Sequence, residues 1–75
     1  MYIVYDENSF CDMLRKYRIN KEYSQVSFAK KIGVSRQAVN EWESGKYIPT
    51  LDKLRKISLL LNWNIEEIEM LIKNK

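Results

Sequence analysis

Apolar residues recur at intervals of three and four along most of the chain, which is the spacing of one buried face of an α-helix. Five such runs predict five short helices and no central strand, so the expected fold class is all-α. The first helix should span about residues 9–19, with Ser9 and Asp12 forming a capping box at its start. Its inward residues are Phe10, Met13, Leu14 and Tyr17.

Two short helices are predicted to follow in close succession. Ser24 can cap the first, over about residues 24–32, and Gly33 suits the left-handed position after a helix end. Ser35 can cap the next helix, which should end near Gly45. Two short helices joined by a few residues around a glycine form a helix-turn-helix. Their inward residues are Phe28, Ala29 and Ile32, then Ala38, Val39 and Trp42.

The last two helices are separated by a polar break. Pro49 ends a loop, and Thr50 can cap the fourth helix. Asn62 and Trp63 interrupt the apolar pattern, after which Asn64 with Glu67 predicts the capping box of the fifth helix. The expected inward residues are Leu51, Leu54, Ile57 and Leu61 in the fourth helix, then Ile65, Ile68, Leu71 and Ile72 in the fifth.

With 75 residues, the chain has room for one small domain, here residues 1–75, with an N-terminal arm over 1–8 and a helical core over 9–73. Cys11 is the only cysteine and there is no histidine. This composition excludes intrachain disulfides, Cys/His zinc sites and histidine catalysis. The acidic clusters at 41/43 and 66/67/69 have no catalytic partner residues, so we expect no enzyme, cofactor or metal.

Charge and hydropathy indicate where the chain acts. No apolar run is long enough to span a bilayer, and the start lacks the basic region of a signal peptide, so a cytoplasmic protein is expected. The net charge is +3, but residues 15–56 alone carry +7, between an N-terminal stretch of −3 and a C-terminal stretch of −1. A basic central segment favours a polyanionic partner.

The outward face of the third helix carries residues that suit contact with base pairs: Arg36, Gln37, Asn40 and Glu41. Arginine pairs with guanine, glutamine and asparagine pair with adenine, and glutamate accepts a hydrogen bond from the cytosine amino group. The same residues also fit an ordinary solvated face, and composition alone leaves both interpretations open.

Residues 24–49 resemble the helix-turn-helix core of the xenobiotic-response-element family, of the Cro and phage-repressor type. The shared features are Ser-Gln opening the second helix, Phe-Ala at its centre, Gly-Val-Ser at the turn, Trp-Glu-x-Gly-Lys closing the third helix and the proline before the fourth. The resemblance covers about residues 10–72. It implies a five-helix lambda-repressor-like domain that binds double-stranded DNA and regulates transcription, as a repressor, in a bacterial or phage setting.

The resemblance also implies roles for individual residues. Arg36, Gln37, Asn40 and Glu41 occupy base-contacting positions, where Glu41 departs from the usual neutral or basic residue and is expected to act as a negative selector. The implied phosphate contacts are Gln25, Ser35, Lys46 and Tyr47. Gln25 could also be a plain first-turn residue, and Ser35 could serve only as a helix cap. Arg18 and Glu43 stand where the family places a structural salt bridge between the first and third helices.

Some apolar residues exceed what the predicted core needs. These are Leu59, Leu60, Trp63, Met70 and the N-terminal stretch 2–5. Exposed apolar surface favours an interface, so we expect a homodimer on a short palindromic operator. Two alternatives stay open: the surplus could complete the core around the fifth helix, or the chain could be an antitoxin-like or regulatory module with a protein partner.

Overall fold

The computed structural model of the chain describes residues 7–73, and within them the side chains of residues 10–72. This part of the chain forms helices and no strand, which confirms the all-α prediction. The order is α1 Glu7–Asn20, α2 Gln25–Ile32, α3 Arg36–Ser44, α4 Leu51–Leu61 and α5 Ile65–Lys73. The apolar stretch 2–5 and most of the predicted arm lie outside the described residues. None of the described helices is long and apolar enough to cross a membrane.

Short polar side chains set the starts of the middle helices. The hydroxyl of Ser24 accepts the backbone N–H of Ser27, and the hydroxyl of Thr50 accepts that of Lys53. These bonds satisfy N–H groups that have no partner within the helix. Asn64 plays the same part for α5, since its Oδ1 accepts the backbone N–H of Glu66 at 2.7 Å.

The predicted start of α1 was wrong. The helix begins at Glu7, so Ser9 lies in its first turn and does not cap it. Glu7, Asn8 and Ser9 include no glycine or proline, so helical backbone is permitted at all three positions.

The helix ends share one backbone conformation. A residue with positive φ follows α1, α2, α3 and α4, and these residues are Glu22, Gly33, Gly45 and Asn62. Gly45 has φ of 85°, and the backbone N–H of Lys46 bonds to the carbonyl of Glu41 at 3.0 Å. This closure satisfies the last carbonyls of α3 and turns the chain sharply away from the helix.

Trp63 is the main correction to the predicted surface. We expected it among the exposed apolar residues, but it is 1% exposed and is the largest fully buried side chain among those described. Its indole stacks on Phe10, with ring centroids 5.8 Å apart, and on Tyr17 at 4.6 Å. The left-handed residue Asn62 ends α4 and directs Trp63 back under α1, which spacing along a helix does not predict.

The core lies between the five helices, where α3 packs on α1 and α2, α5 packs on α1 and α4, and α2 packs on α4. Its fully buried residues are Phe10, Leu14, Phe28, Ile32, Val39, Ile57, Leu61, Trp63 and Ile68. Leu51 was expected inside but is 49% exposed, because it is the first residue of α4 and lies at the edge of the core. Leu60 packs partly against the core, whereas Leu59 and Met70 are 84% and 62% exposed.

Glu22 gives a test of the turn after α1. Its φ of 65° is a left-handed conformation in which a Cβ is strained, by roughly 1–2 kcal/mol. We therefore expect Glu22→Gly to raise the melting temperature, by about 4–8 °C for each kcal/mol gained in a domain of this size. Glu22→Ala removes the same charge but keeps the Cβ. A thermal melt in which both variants behave alike would contradict a conformational cause.

Candidate nucleic-acid interface

α3 separates its buried residues from its polar ones. Val39, Trp42 and Glu43 are buried on its inner side. On the outer side Arg36, Gln37 and Asn40 are exposed and Glu41 is half-buried. At 3.6 residues per turn, these four positions cover about 140° of the helix circumference. We call this set, Arg36, Gln37, Asn40 and Glu41, the reading face.

Two members of the reading face contact each other. Gln37 Nε2 donates to Glu41 Oε2 at 3.3 Å, across one turn of the helix. Within the described part of the chain, no Lys or Arg forms an ion pair with Glu41. The reading face therefore combines one guanidinium, two amides and one carboxylate without a cationic partner.

The ends of α3 fix the flanking candidates. Ser35 is the N-cap, and its hydroxyl accepts the backbone N–H of Ala38 at 3.1 Å. After the helix, Lys46 and Tyr47 are exposed, and both donate their backbone N–H to the carbonyl of Glu41. The Lys46 ammonium lies 6.0 Å from the centre of the Tyr47 ring. Both side chains are thus held on a turn directly beside the reading face.

Glu43 is a buried carboxylate on which several cationic and amide groups converge. Arg18 Nε lies 2.5 Å from Oε2, and Arg18 Nη2 donates to Oε1 at 3.1 Å. The third guanidinium nitrogen, Nη1, donates to the carbonyl of Tyr23 at 2.7 Å. The structure thus brings the predicted pair together with two parallel bonds, and it joins α1 to α3 and to the turn before α2.

Gln25 and Arg15 complete the surroundings of Glu43. Gln25 Nε2 donates to Glu43 Oε1 at 3.2 Å, so this first residue of α2 is more than a plain solvent-facing residue. Arg15 was not singled out from the sequence, yet its Nε lies 3.9 Å from Glu43 Oε1 and its side chain is 53% exposed. The sequence could have predicted this position, because Arg15 lies three residues before Arg18 on α1 and residues at that spacing share a helix face.

The described residues hold no arrangement typical of a metal centre. No group of three or more His, Cys, Asp or Glu side chains among residues 7–73 is placed to hold a metal ion. The polar residues that do converge, around Glu43 and on the reading face, are suited to hydrogen bonding.

Glu43→Gln tests whether the buried pair is structural. The substitution leaves the Arg18 guanidinium buried without its counter-charge, so we expect the free energy of unfolding to fall by about 3 kcal/mol. Base preference in DNA binding should not change, because Glu43 lies on the inner side of α3. The double variant Arg18→Met with Glu43→Met removes both charges and should be less destabilised than Glu43→Gln. An unchanged unfolding midpoint in denaturant for Glu43→Gln would contradict this role.

Comparison with known proteins agrees with this geometry. Residues 14–68 match the profile of a helix-turn-helix family. The HTH-type transcriptional activator BcrR of Enterococcus faecalis is 36% identical over 59 residues, which are 79% of this chain and 29% of the activator. An uncharacterized HTH-type transcriptional regulator of Methanocaldococcus jannaschii is 42% identical over 55 residues, which are 73% of this chain and 83% of the regulator.

A solved structure is also similar. The SOS-response transcriptional repressor LexA of Eubacterium rectale superposes with a TM-score of 0.78 at 31% identity, over 91% of this chain and 72% of that one. The match over residues 14–68 includes both helices that meet at Gly33 and the whole reading face. On these grounds the chain belongs to the helix-turn-helix family of the Cro and phage-repressor type.

Proposed function

We propose that this chain binds double-stranded DNA in a sequence-specific manner and regulates transcription, with α3 in the major groove. The observation that carries the proposal is the reading face, which is polar, outward and placed on the second helix of a helix-turn-helix. In such domains this helix enters the major groove. The relatives named as transcriptional regulators support the same function.

The chemistry of the reading face fits the edges of base pairs. Arg36 can donate two bonds to the O6 and N7 of guanine, and Gln37 or Asn40 can pair with the N6 and N7 of adenine. Each well-made pair of this kind discriminates by about 1–3 kcal/mol against the wrong base. The proposed phosphate contacts are Gln25, Ser35, Lys46 and Tyr47. To these we add the half-exposed Arg15, because it lies near the same Glu43 oxygen to which Gln25 donates.

Repression is the proposed direction of regulation. Occupying a promoter is sufficient to exclude other proteins from it, whereas activation needs a further favourable contact with the transcription machinery.

We assign the chain no catalytic role. It has no histidine, and the polar groups around Glu43 and on the reading face bond to one another.

Selection of bound sequences from a random DNA library, with the protein alone, tests the proposal directly. We expect an enriched palindrome whose half-sites are separated by about one helical turn. Affinity for it should fall steeply between two salt concentrations, because phosphate neutralisation releases counterions. No enrichment, or affinity that does not respond to salt, would overturn the proposal.

Arg36→Ala and Gln37→Ala test whether α3 reads the bases. Each substitution should weaken binding to the selected site by about tenfold or more and relax the base preference at one position of each half-site. Lys56→Ala is the control for the loss of positive charge, since it removes an exposed cation from α4, and any loss of affinity that it causes should be the same for all sequences. Titrations against a panel of single-base changes measure both effects. Full sequence preference in both α3 variants would show that α3 is not the reader.

We also propose that the chain binds DNA as a homodimer through α4 and α5. Leu59 on α4 and Met70 on α5 are the most exposed large apolar residues described, and Leu60 adds a partly covered one. Trp63, which the sequence predicted for this surface, is buried in the core. Apolar residues on adjacent helices are typical of an interface between copies, and two copies match a palindrome.

Leu59→Glu with Met70→Glu tests the dimer. Burying two carboxylates against each other is unfavourable, so self-association should weaken by at least about tenfold in analytical ultracentrifugation. Ile19→Glu is the control, because Ile19 is also an exposed apolar residue but belongs to α1 and not to either helix of the proposed interface. A wild-type chain that sediments as a monomer at high micromolar concentration would argue against the interface.

A second candidate function uses the same exposed residues. An antitoxin-like or regulatory module would bind a different protein through Leu59 and Met70, with or without DNA. The two candidates are distinguished by the α3 substitutions, which should relax base preference in a DNA reader and leave binding to a protein through Leu59 and Met70 unchanged.

A further inference from the structure

Glu41 is an unusual residue to find on a surface that meets DNA. The residue is half-buried, its carboxylate accepts a hydrogen bond from Gln37, and no described Lys or Arg forms an ion pair with it. Two other carboxylates on the basic segment do have cationic neighbours, since Glu43 has Arg18 and Asp52 has Lys53, whereas Glu22, in the turn after α1, forms no ion pair among the described residues. The negative charge of Glu41 therefore opposes binding to any DNA that offers it no hydrogen-bond donor.

Two of the four bases supply such a donor, one in each base pair, so the donor's presence depends on which base of the pair faces Glu41. In the major groove, only the amino groups of cytosine N4 and adenine N6 donate, whereas guanine and thymine present acceptors and a methyl group. An ionised carboxylate can only accept hydrogen bonds. Glu41 is therefore matched by cytosine or adenine and repelled by guanine or thymine.

The contact with Glu41 also fixes how Gln37 presents its amide. Because the Glu41 carboxylate only accepts, the group of Gln37 that faces it must be the NH₂ group, as observed for Nε2 at 3.3 Å. One N–H is used in that bond, which leaves the second N–H and Oε1 for a base. This remaining donor and acceptor match the N7 and N6 of adenine.

We propose that Gln37 and Glu41 read DNA as one coupled unit, in which Glu41 requires a base with an exposed amino group and holds the Gln37 amide in a fixed orientation. The inference rests on the proposed DNA binding and specifies the bases selected. Losing the carboxylate should change base preference at two positions, the one that Glu41 faces and the one that Gln37 faces.

Glu41→Gln is the informative variant, since it keeps the size of the side chain and removes the charge. We expect it to bind non-selected DNA more tightly than the wild type, because a repulsive charge is lost. Its preference for cytosine or adenine at the Glu41 position should fall by about tenfold or more. Preference at the Gln37 position should also broaden although Gln37 is intact, because an uncharged amide can both donate and accept and no longer fixes its neighbour.

Glu67→Gln is the matched control, because Glu67 is an exposed acidic residue on α5 and the change in charge is identical. It should leave base preferences unchanged. Gln37→Ala and the double variant Gln37→Ala with Glu41→Gln complete a cycle, in which coupling appears as a double effect different from the product of the two single fold-changes. Thermal melts establish that all variants are folded.

The outcomes separate the inference from the proposed function. Altered preference at both positions with a non-multiplicative cycle supports the coupled unit. A selective wild type whose preferences survive Glu41→Gln, or change only at the Glu41 position, overturns the coupling while leaving DNA binding in place. A wild type without any sequence preference overturns the proposed function and the inference together.

Discussion

The buried pair of Arg18 and Glu43 is the interaction on which the rest of the structure depends. Both carboxylate oxygens accept from the guanidinium, and the remaining nitrogen of Arg18 bonds to the Tyr23 carbonyl. Removing two charges from water is unfavourable, so such a pair is tolerated only where nearly every hydrogen-bonding group is satisfied. Here Gln25 bonds to Glu43 as well. A rotation of α3 would break these bonds at once, and this gives the helix one defined orientation against α1 and α2.

The orientation of α3 decides what its outer side can do. Because Glu43 and Trp42 are buried on one side of α3, the positions on its other side point outward and form the reading face. The closure at Gly45 then places Lys46 and Tyr47 next to it through bonds to the Glu41 carbonyl. The buried residues of α3 and the candidate base contacts are thus on two sides of one nine-residue helix. A change on the inner side should affect stability, and a change on the outer side should affect selectivity.

The charges of the chain also separate general attraction from selectivity. The net charge of +7 on residues 15–56 attracts a polyanion whatever its base sequence, so this attraction raises affinity without favouring one sequence over another. The negative charge of Glu41 subtracts from that attraction at one place on the reading face. In the coupled unit that we propose, this repulsion is relieved only by a base that donates a hydrogen bond, so a small loss of general affinity is exchanged for selectivity. The contact with Gln37 would then extend the effect to a neighbouring position.

The sequence by itself determined the helical fold, the caps at Ser24, Ser35 and Thr50, the glycine turn and the outward residues of α3, because each depends on neighbours within one helical turn. Only the tertiary structure decided that Trp63 is buried under α1, that Leu51 lies at the edge of the core and that Arg15 and Gln25 gather around Glu43. Periodicity shows which residues share a face of one helix. It does not show which other element covers that face, since that depends on turn geometry and on contacts between residues far apart in the chain.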